Sequence, residues 1–316
     1  MTNRYINLER LEFFVTNECS SRCKHCSVQS KNISKNHIEI EAAVKLIRKV
    51  SKVYNLNSIM TFGGEPLLFP DVIFAIHKTA TEVGIPTRQI ITNGYWTKDK
   101  NKIEKIANRL VEAGVNKILI SVDAFHQEYI PLEIVKLTAI SLLEAGIDNI
   151  KWSPCWAVSE RDRNKYNDKT KLILKELEEV GIPVGNGNVL YPEGAAIENL
   201  LDYLPQKQYF STGKCGDVPY TDPLDKIKSL SIDPNGDVII CRDFSIGNII
   251  KTDIIEIIDN YDPYENEQMK VILEEGVQGL LIQMKNKGIR LDSEEFFSIC
   301  DMCATLREKS RQYEGL

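Results

Sequence analysis

Glycines that follow amphipathic stretches recur every 30 to 35 residues in the first part of the chain, and this period constrains the fold more than any other feature. They are Gly84, Gly114, Gly146 and Gly181. Glycine tolerates the left-handed conformation in which many helices end, so each position predicts a helix end. A short apolar or alternating segment follows each glycine, which is typical of a strand.

The strand-like segments number six if the segments before Gly84 are included. They are residues 11–16, 57–63, 89–93, 117–123, 149–153 and 183–190. Six strand-helix units predict an α/β fold with a parallel sheet and right-handed crossovers, either a partial (β/α)6 barrel or a doubly wound sheet. In both architectures the loops at the carboxyl ends of the strands form the functional site.

The pattern changes after about residue 205. Residues 229–241 contain Asp233-Pro-Asn-Gly-Asp237 between two apolar runs, which predicts a β-hairpin, and an acidic helical stretch covers 253–288. We therefore expect two domains, residues 1–205 and a smaller α+β domain over residues 206–316. Because no flexible Gly/Ser linker separates them, we expect the two domains to pack together.

Composition excludes several classes of protein. Apolar residues make up 43% and charged residues 27% of the chain, as in ordinary soluble proteins. No apolar run approaches the roughly 20 residues that span a bilayer, and the N-terminus lacks a secretory signal, so we expect a cytoplasmic protein without a membrane partner. The net charge of -6 and the lack of a long basic stripe argue against a nucleic-acid partner.

The first cysteine cluster has three members, Cys19, Cys23 and Cys26, in a Cys-x3-Cys-x2-Cys run directly after the first predicted strand. In a reducing compartment such cysteines are metal ligands or catalytic thiols rather than disulfides. Structural zinc and electron-transfer iron-sulfur clusters normally take four ligands, so this run leaves one metal position open. A partial zinc site is the alternative.

A second motif, Gly63-Gly64-Glu65-Pro66, ends the second predicted strand. Glycines at such a point let the backbone approach a ligand closely, although an ordinary strand-ending turn would have the same composition.

The two motifs, in this order, resemble the signature of the radical S-adenosylmethionine superfamily. In that family the three cysteines hold a 4Fe-4S cluster, the open iron binds S-adenosylmethionine, and Gly63 to Pro66 match the segment that contacts the methionine amino group. The resemblance implies reductive cleavage of the cofactor to a 5′-deoxyadenosyl radical, which takes a hydrogen atom from a substrate carbon. It also implies a reductant such as flavodoxin or ferredoxin, and it favours the partial barrel.

Further cofactor contacts follow from the resemblance. His25 precedes the third cysteine, where the family often has an aromatic residue along the adenine; a solvated loop histidine is the alternative. Thr92 and Asn93 end the third predicted strand, and Ser121 and Asp123 end the fourth. These four match positions that meet the ribose hydroxyls or the cofactor carboxylate, and simple strand capping is equally consistent with the sequence.

Candidate catalytic residues lie outside the motifs. Asp123, His126 and Glu128 form a dense polar patch of possible substrate contacts or proton acceptors, and histidine titrates near neutrality. A solvated loop is the alternative for His126. Cys155, late in the fifth predicted strand, is a candidate hydrogen-atom donor, whereas most lone cysteines are small buried apolar residues.

The second cysteine cluster, Cys215, Cys241, Cys300 and Cys303, has four members and could close a metal site. Gly236 to Cys241 resembles the Gly-x4-Cys element of the auxiliary-cluster domains called SPASM. With only four cysteines the set resembles the truncated twitch form, which implies a second 4Fe-4S cluster. The gap between Cys215 and Gly236 is longer than the common pattern, so Cys215 is the least secure ligand. A zinc ribbon is the alternative.

These features predict a radical oxidoreductase in which the auxiliary cluster accepts an electron from the substrate radical or anchors the substrate. Only 18 residues precede Cys19, so we expect no N-terminal leader-binding domain and a small-molecule or short peptide substrate. The alternatives are a redox-neutral peptide epimerase with Cys155 as hydrogen donor, and a non-catalytic metal-binding electron carrier. The Gly63 to Pro66 motif argues against a carrier, which needs no methionine site.

Overall fold

The computed structural model describes residues 3–28, 36–241 and 244–314. Five parallel strands lie side by side in chain order: β1 (Ile6–Phe14), β2 (Ser58–Phe62), β3 (Thr87–Thr92), β4 (Lys117–Ser121) and β5 (Ile150–Ser153). Four helices connect them: α1 (Ile40–Val50), α2 (Pro70–Glu82), α3 (Lys100–Glu112) and α4 (Leu132–Ala145). The predicted α/β class and its parallel sheet are confirmed.

The helix-ending glycines are confirmed. Gly84, Gly114, Gly146 and Gly181 have φ values between 76° and 104°, in the left-handed region. Such values place a residue without Cβ where the chain turns from helix into strand.

The sixth predicted strand, 183–190, does not form as one element. Val184 makes only an isolated bridge to Trp152, and β7 (Asn188–Val189) pairs with β6 (Cys155–Trp156) in a separate two-stranded sheet. Between these two contacts Gly187 has a φ of 65°, which interrupts an extended strand. The intervening chain contains α5 (Lys165–Glu176) and a 3-10 turn (Leu177–Val180), and α6 (Ala195–Asn199) follows β7.

The C-terminal region continues the same sheet. It contributes β8 (Ile227–Ile232), β9 (Asp237–Cys241) and β10 (Phe244–Asn248), and β8 pairs in parallel with β1. The sheet therefore has eight strands in the order β10-β9-β8-β1-β2-β3-β4-β5. The predicted hairpin between β8 and β9 is present, and the Asp233 carboxylate accepts the amides of Asn235 and Asp237 at 2.9 Å each.

The predicted helical stretch 253–288 is divided into three helices, and a fourth follows: α7 (Ile254–Asp259), α8 (Glu267–Glu275), α9 (Val277–Asn286) and α10 (Ile299–Glu314). The main apolar core is continuous from the parallel strands into these helices. In the described part of the chain, no helix has the length and apolar character that crossing a membrane requires.

A second apolar cluster, here called the strand-end cluster, lies beyond β4 and β5. Its buried members are Phe125, Cys155, Ala157, Leu190, Ala196, Leu200, Leu204 and Phe297. Phe297 comes from the C-terminal region, so this cluster joins the two parts of the chain at the carboxyl ends of the strands.

Candidate functional site

The cysteine loop after β1 is held by the segment that follows β2. The amide of Gly64 donates to the carbonyl of Thr16 at 2.7 Å, and the amide of Glu65 donates to the carbonyl of Glu18 at 2.8 Å. A Cβ on Gly64 would lie 2.1 Å from the Glu18 oxygen, and Gly63 has a φ of 143°. Both glycines are therefore required by the close approach of two backbones.

The three thiols of the first cysteine cluster differ in exposure: Cys23 is buried, Cys26 is half-buried and Cys19 is exposed. Burial raises the pKa of Cys23 to about 12, and the charges of Asp123, Cys19 and Cys26 act in the same direction. The Oγ of Ser21 lies 2.9 Å from the Cys23 sulfur. A thiol gives up its proton when a cation binds it, so three thiols on one loop fit an iron centre.

Glu65 ties the end of β2 to the end of β3. Its fully buried carboxylate accepts hydrogen bonds from Thr92 Oγ1 at 2.7 Å and from the amides of Asn93 and Leu67 at 2.8 and 3.0 Å. Burial raises the pKa of Glu65 to about 7, against the opposing effect of these bonds. The Thr92 hydroxyl also accepts from the amide of Gly94 at 3.0 Å, so it is engaged within the protein.

Asn93 reaches from β3 to the cysteine loop. Its Nδ2 lies 3.5 Å from the sulfur of Cys19 and donates to Ser20 Oγ at 3.1 Å. Ser121 lies half-buried at the end of β4, opposite Ser153. The strand ends thus place both polar side chains on the edge that carries the cysteines.

Asp123 is the centre of a buried hydrogen-bond network. Its carboxylate accepts from Nδ1 of His126 and from the amides of Cys155 and Phe125, at 2.9 Å each. Burial by itself would raise the pKa of Asp123, but the charge and hydrogen bonds of His126 lower it below its usual range. Because the carboxylate only accepts, Nδ1 of His126 carries the proton, and in the neutral ring Nε2 keeps the lone pair.

His25 connects this network to the cysteine loop. Its ring centre lies 4.8 Å from that of Phe125 and 4.9 Å from that of His126. Burial, followed by the charge of His126, lowers the pKa of His25 to about 4, so the ring is neutral. The ligand atoms of Cys23, His25 and His126 lie within 4.8 Å of one another, and Nδ1 of His25 has no hydrogen-bond partner among the described residues.

Cys155 lies in the same region. It is buried, its burial raises the pKa of its thiol, and the charges of Asp123 and Cys23 act in the same direction. Glu128, in contrast, turns toward the surface and pairs with Lys24 Nζ at 3.1 Å. The structure therefore brings Asp123, His126 and Cys155 together beside the cysteine loop and places Glu128 at its rim.

Sequence reasoning missed the segment that covers the cysteine loop. The amide of Ala195, the first residue of α6, donates to the carbonyl of Cys26 at 3.0 Å, and a Cβ on Gly194 would lie 2.5 Å from that oxygen. Gly194 is the one signal that could have indicated this approach. Nothing in the local sequence points to Phe297.

The second cysteine cluster gathers residues from a loop, a strand and a helix. Cys215 precedes β8, Cys241 ends β9, and Cys300 and Cys303 lie one turn apart on α10. Burial raises the pKa of Cys215 to about 12, and the charges of Cys241 and Cys300 act in the same direction. Four cysteines from three elements have the composition of a closed iron-sulfur site.

Comparison with known families agrees with this geometry. The Radical SAM superfamily model matches residues 13–204, and the SPASM iron-sulfur cluster-binding domain model matches residues 225–304. The chain belongs to the radical SAM superfamily and carries a SPASM-type domain. Membership implies 4Fe-4S clusters and the binding of S-adenosylmethionine, as the sequence resemblance predicts.

Individual relatives are distant. A probable GTP 3',8-cyclase from Saccharolobus islandicus is 28% identical over 211 residues, which cover 62% of this chain and 65% of that protein. A probable GTP 3',8-cyclase from Methanococcus aeolicus is 29% identical over 153 residues, which cover 46% and 49%. The chain thus spans less than two thirds of the length of either curated relative.

The fold is similar to that of a solved structure, Streptococcus suis SuiB bound to S-adenosylmethionine. The TM-score is 0.53 at 14% identity, over 79% of this chain and 65% of that chain. At this identity the likeness concerns the fold alone.

Proposed function

We propose that the chain cleaves S-adenosylmethionine reductively and oxidises a small-molecule or peptide substrate at a carbon-hydrogen bond. Cys19, Cys23 and Cys26 hold the first cluster, and the C-terminal cysteines hold an auxiliary cluster that takes up an electron. The observation that carries the proposal is the pair of backbone hydrogen bonds from Gly64 and Glu65 to the cysteine loop. They join the cluster ligands and the methionine-binding segment into one unit.

Bound at this unit, the cluster and S-adenosylmethionine supply a 5′-deoxyadenosyl radical. The residues of the chain orient the cofactor. The backbone of Gly63 to Pro66 receives the methionine amino end, and Asn93 and Ser121 offer polar groups from the neighbouring strand ends. The neutral ring of His25 supplies a flat surface beside them. Glu65 and Thr92 contribute indirectly, because their hydrogen bond holds the ends of β2 and β3 together.

The strand-end cluster supports an apolar reacting group on the substrate. Cys155 is one of its buried members and lies near Cys23 and Asp123. Apolar packing at the edge that carries the cysteines would keep water from a reactive intermediate and would suit a hydrocarbon group better than a phosphorylated one. We therefore propose a substrate whose reacting carbon belongs to an apolar or aromatic group.

Oxidation of such a group removes a hydrogen atom and an electron from one carbon and a proton from the neighbouring atom, and a double bond forms between the two. Bound S-adenosylmethionine would supply the radical that accepts the hydrogen atom, and a cluster held by Cys215, Cys241, Cys300 and Cys303 would accept the electron. The proton goes to Nε2 of His126, whose lone pair is fixed by the bond between Nδ1 and Asp123. Asp123 acts as a positioning residue, since its carboxylate contacts His126 and the Cys155 amide rather than the open edge.

The test is anaerobic incubation of the reconstituted protein with S-adenosylmethionine, a reductant and candidate substrates, with 5′-deoxyadenosine as the readout. GTP is one candidate because the curated relatives are named as probable GTP 3',8-cyclases. Peptides with aliphatic or aromatic side chains are the other candidate. We expect peptides to stimulate 5′-deoxyadenosine formation and a deuterated side chain to transfer deuterium to it. Stimulation by GTP alone would replace the apolar substrate with a nucleotide.

A redox-neutral epimerisation is the second candidate, because Cys155 is buried beside Cys23 and Asp123. In this reaction the thiol hydrogen atom goes to the substrate carbon, and the reductant returns an electron and solvent a proton to the sulfur. Incubation in heavy water would then place deuterium on the product carbon. An unaltered product from Cys155→Ala would exclude this route.

A further inference from the structure

Helix α10 carries a buried cation on the face that carries two cysteines. Cys300, Cys303 and Arg307 are spaced by three and four residues, which places them in one row along the helix. Arg307 is only 9% exposed. Arginine is rarely buried to this degree unless other groups contact it, so the contacts of Arg307 matter.

Contacts from other elements fix the guanidinium. Its Cζ lies 3.7 Å from the ring centre of Phe244, and Nε donates to Oε1 of Gln268 on α8 at 2.8 Å. Phe244 begins β10 and pairs in register with Cys241 at the end of β9. The charge of Arg307 therefore lies between α10, which carries Cys300 and Cys303, and Phe244, the residue that pairs with Cys241.

The charge on this row of α10 is permanent. Arginine stays protonated throughout the physiological pH range.

We infer that Arg307 raises the reduction potential of the auxiliary cluster and so makes it a better electron acceptor. A 4Fe-4S core with four thiolate ligands carries a net negative charge, which grows by one when an electron arrives. A fixed cation nearby stabilises the reduced form more than the oxidised form, and the protein environment inside the fold screens that interaction less than water does. This inference rests on the proposed auxiliary cluster and assigns a residue to its electron-accepting role.

The test measures the midpoint potential in the full chain with Cys19, Cys23 and Cys26 replaced by Ala, so that only the auxiliary cluster contributes. Redox titration followed by electron paramagnetic resonance gives the midpoint of this background protein. The same titration is done on the background protein that also carries Arg307→Gln, Arg307→Lys or Arg311→Gln. Arg311 is the matched control because it lies one turn further along α10 and is exposed. We expect Arg307→Gln to shift the midpoint to lower potential. Arg307→Lys should keep the midpoint close to that of the background protein, and Arg311→Gln should leave it unchanged.

The outcomes separate the inference from the proposed function. A background protein that binds no iron, or binds zinc, overturns both. A cluster of normal iron content whose midpoint is the same in Arg307→Gln overturns the inference alone. Arg307→Gln could also bind no cluster, and Arg307→Lys then distinguishes the two roles. A cluster that forms with Lys supports the electrostatic role. Loss of the cluster in both variants makes the role of Arg307 structural and overturns the inference.

Discussion

The two cysteine clusters are built in opposite ways. Cys19, Cys23 and Cys26 lie within eight consecutive residues, whereas Cys215 and Cys303 are separated by most of the C-terminal region. The first cluster has three thiols on a loop at the carboxyl ends of the strands, and the second has four thiols from a loop, a strand and a helix. A short loop can leave a metal position open for a ligand, whereas convergence of several elements closes the site.

Their supports differ as well. Backbone hydrogen bonds from Gly64, Glu65 and Ala195 hold the first cluster, so glycine conformation and close backbone approach matter there. Side-chain packing, as between Arg307 and Phe244, surrounds the second cluster. The first site should therefore be sensitive to an added Cβ, and the second to a change of side-chain charge.

The largest expected effect is at the first cluster. Replacing Cys19, Cys23 and Cys26 by Ala should lower the iron content from about eight to about four per chain, because one of two 4Fe-4S clusters loses its ligands. Formation of 5′-deoxyadenosine should cease. Iron and sulfide analysis after anaerobic reconstitution provides the measurement, and unchanged cofactor cleavage would contradict the assignment.

Cys241→Ala should remove the auxiliary cluster and leave the first one in place. We expect about four irons per chain, retained 5′-deoxyadenosine formation and loss of oxidised product, since the substrate radical then lacks an electron acceptor. Cys155→Ala is the matched control and should keep the full iron content. Zinc in the wild-type protein with about four irons would make the C-terminal set a structural ribbon.

Gly64→Ala tests the backbone contact beneath the cysteine loop. Its Cβ would lie 2.1 Å from the Glu18 oxygen, and forcing that atom in should cost roughly 1 to 3 kcal/mol of unfolding free energy and displace the loop. Gly146→Ala is the control. It has open space but a φ of 104°, and should cost about 1 kcal/mol without affecting cofactor cleavage. Denaturant unfolding and the yield of 5′-deoxyadenosine distinguish the two variants. Equal yields from Gly64→Ala and Gly146→Ala would contradict a role of the Gly64 contact in cofactor cleavage.

The last expected effect is on stability alone and depends on pH. Because burial raises the pKa of Glu65 from 4.5 to about 7, the folded state binds a proton that the unfolded state has released. The free energy of unfolding of the metal-free protein should therefore fall as pH rises through this window. Glu65→Gln should lose that part of the slope, and Glu128→Gln, at the exposed pair with Lys24, should retain it. Denaturant titrations at several pH values measure the slopes, and identical slopes in wild type and Glu65→Gln would refute the prediction.

Most of the parallel sheet could be predicted from short segments of the sequence. The helix-ending glycines, the order of β1 to β5 and the hairpin turn at Asp233 all depend on residues close together in the chain, and each is confirmed. The sixth strand was predicted from apolar residues, yet Gly187 interrupts it after the bridge between Val184 and Trp152. Its apolar pattern did not reveal which neighbour would supply hydrogen bonds.

In the candidate site, too, the features that depend on local sequence were predicted and those that depend on distant contacts were not. The sequence placed Gly63 to Pro66 and the cysteine run at adjacent strand ends, and the backbone contacts between them follow from parallel pairing of β1 and β2. The carboxylate bridge from Glu65 to Thr92 and the cover provided by Ala195 depend on side-chain and loop positions that no spacing predicts.

By itself the sequence determined the family, the two cysteine sets and the parallel barrel, because motif spacing and hydrophobic period are short-range properties. Only the tertiary structure decided that β8 pairs with β1, that Phe297 joins the strand-end cluster and that Arg307 packs on Phe244. Each of these contacts joins residues far apart in the chain. Packing and burial select such partners once the whole core has formed, and no local pattern encodes them.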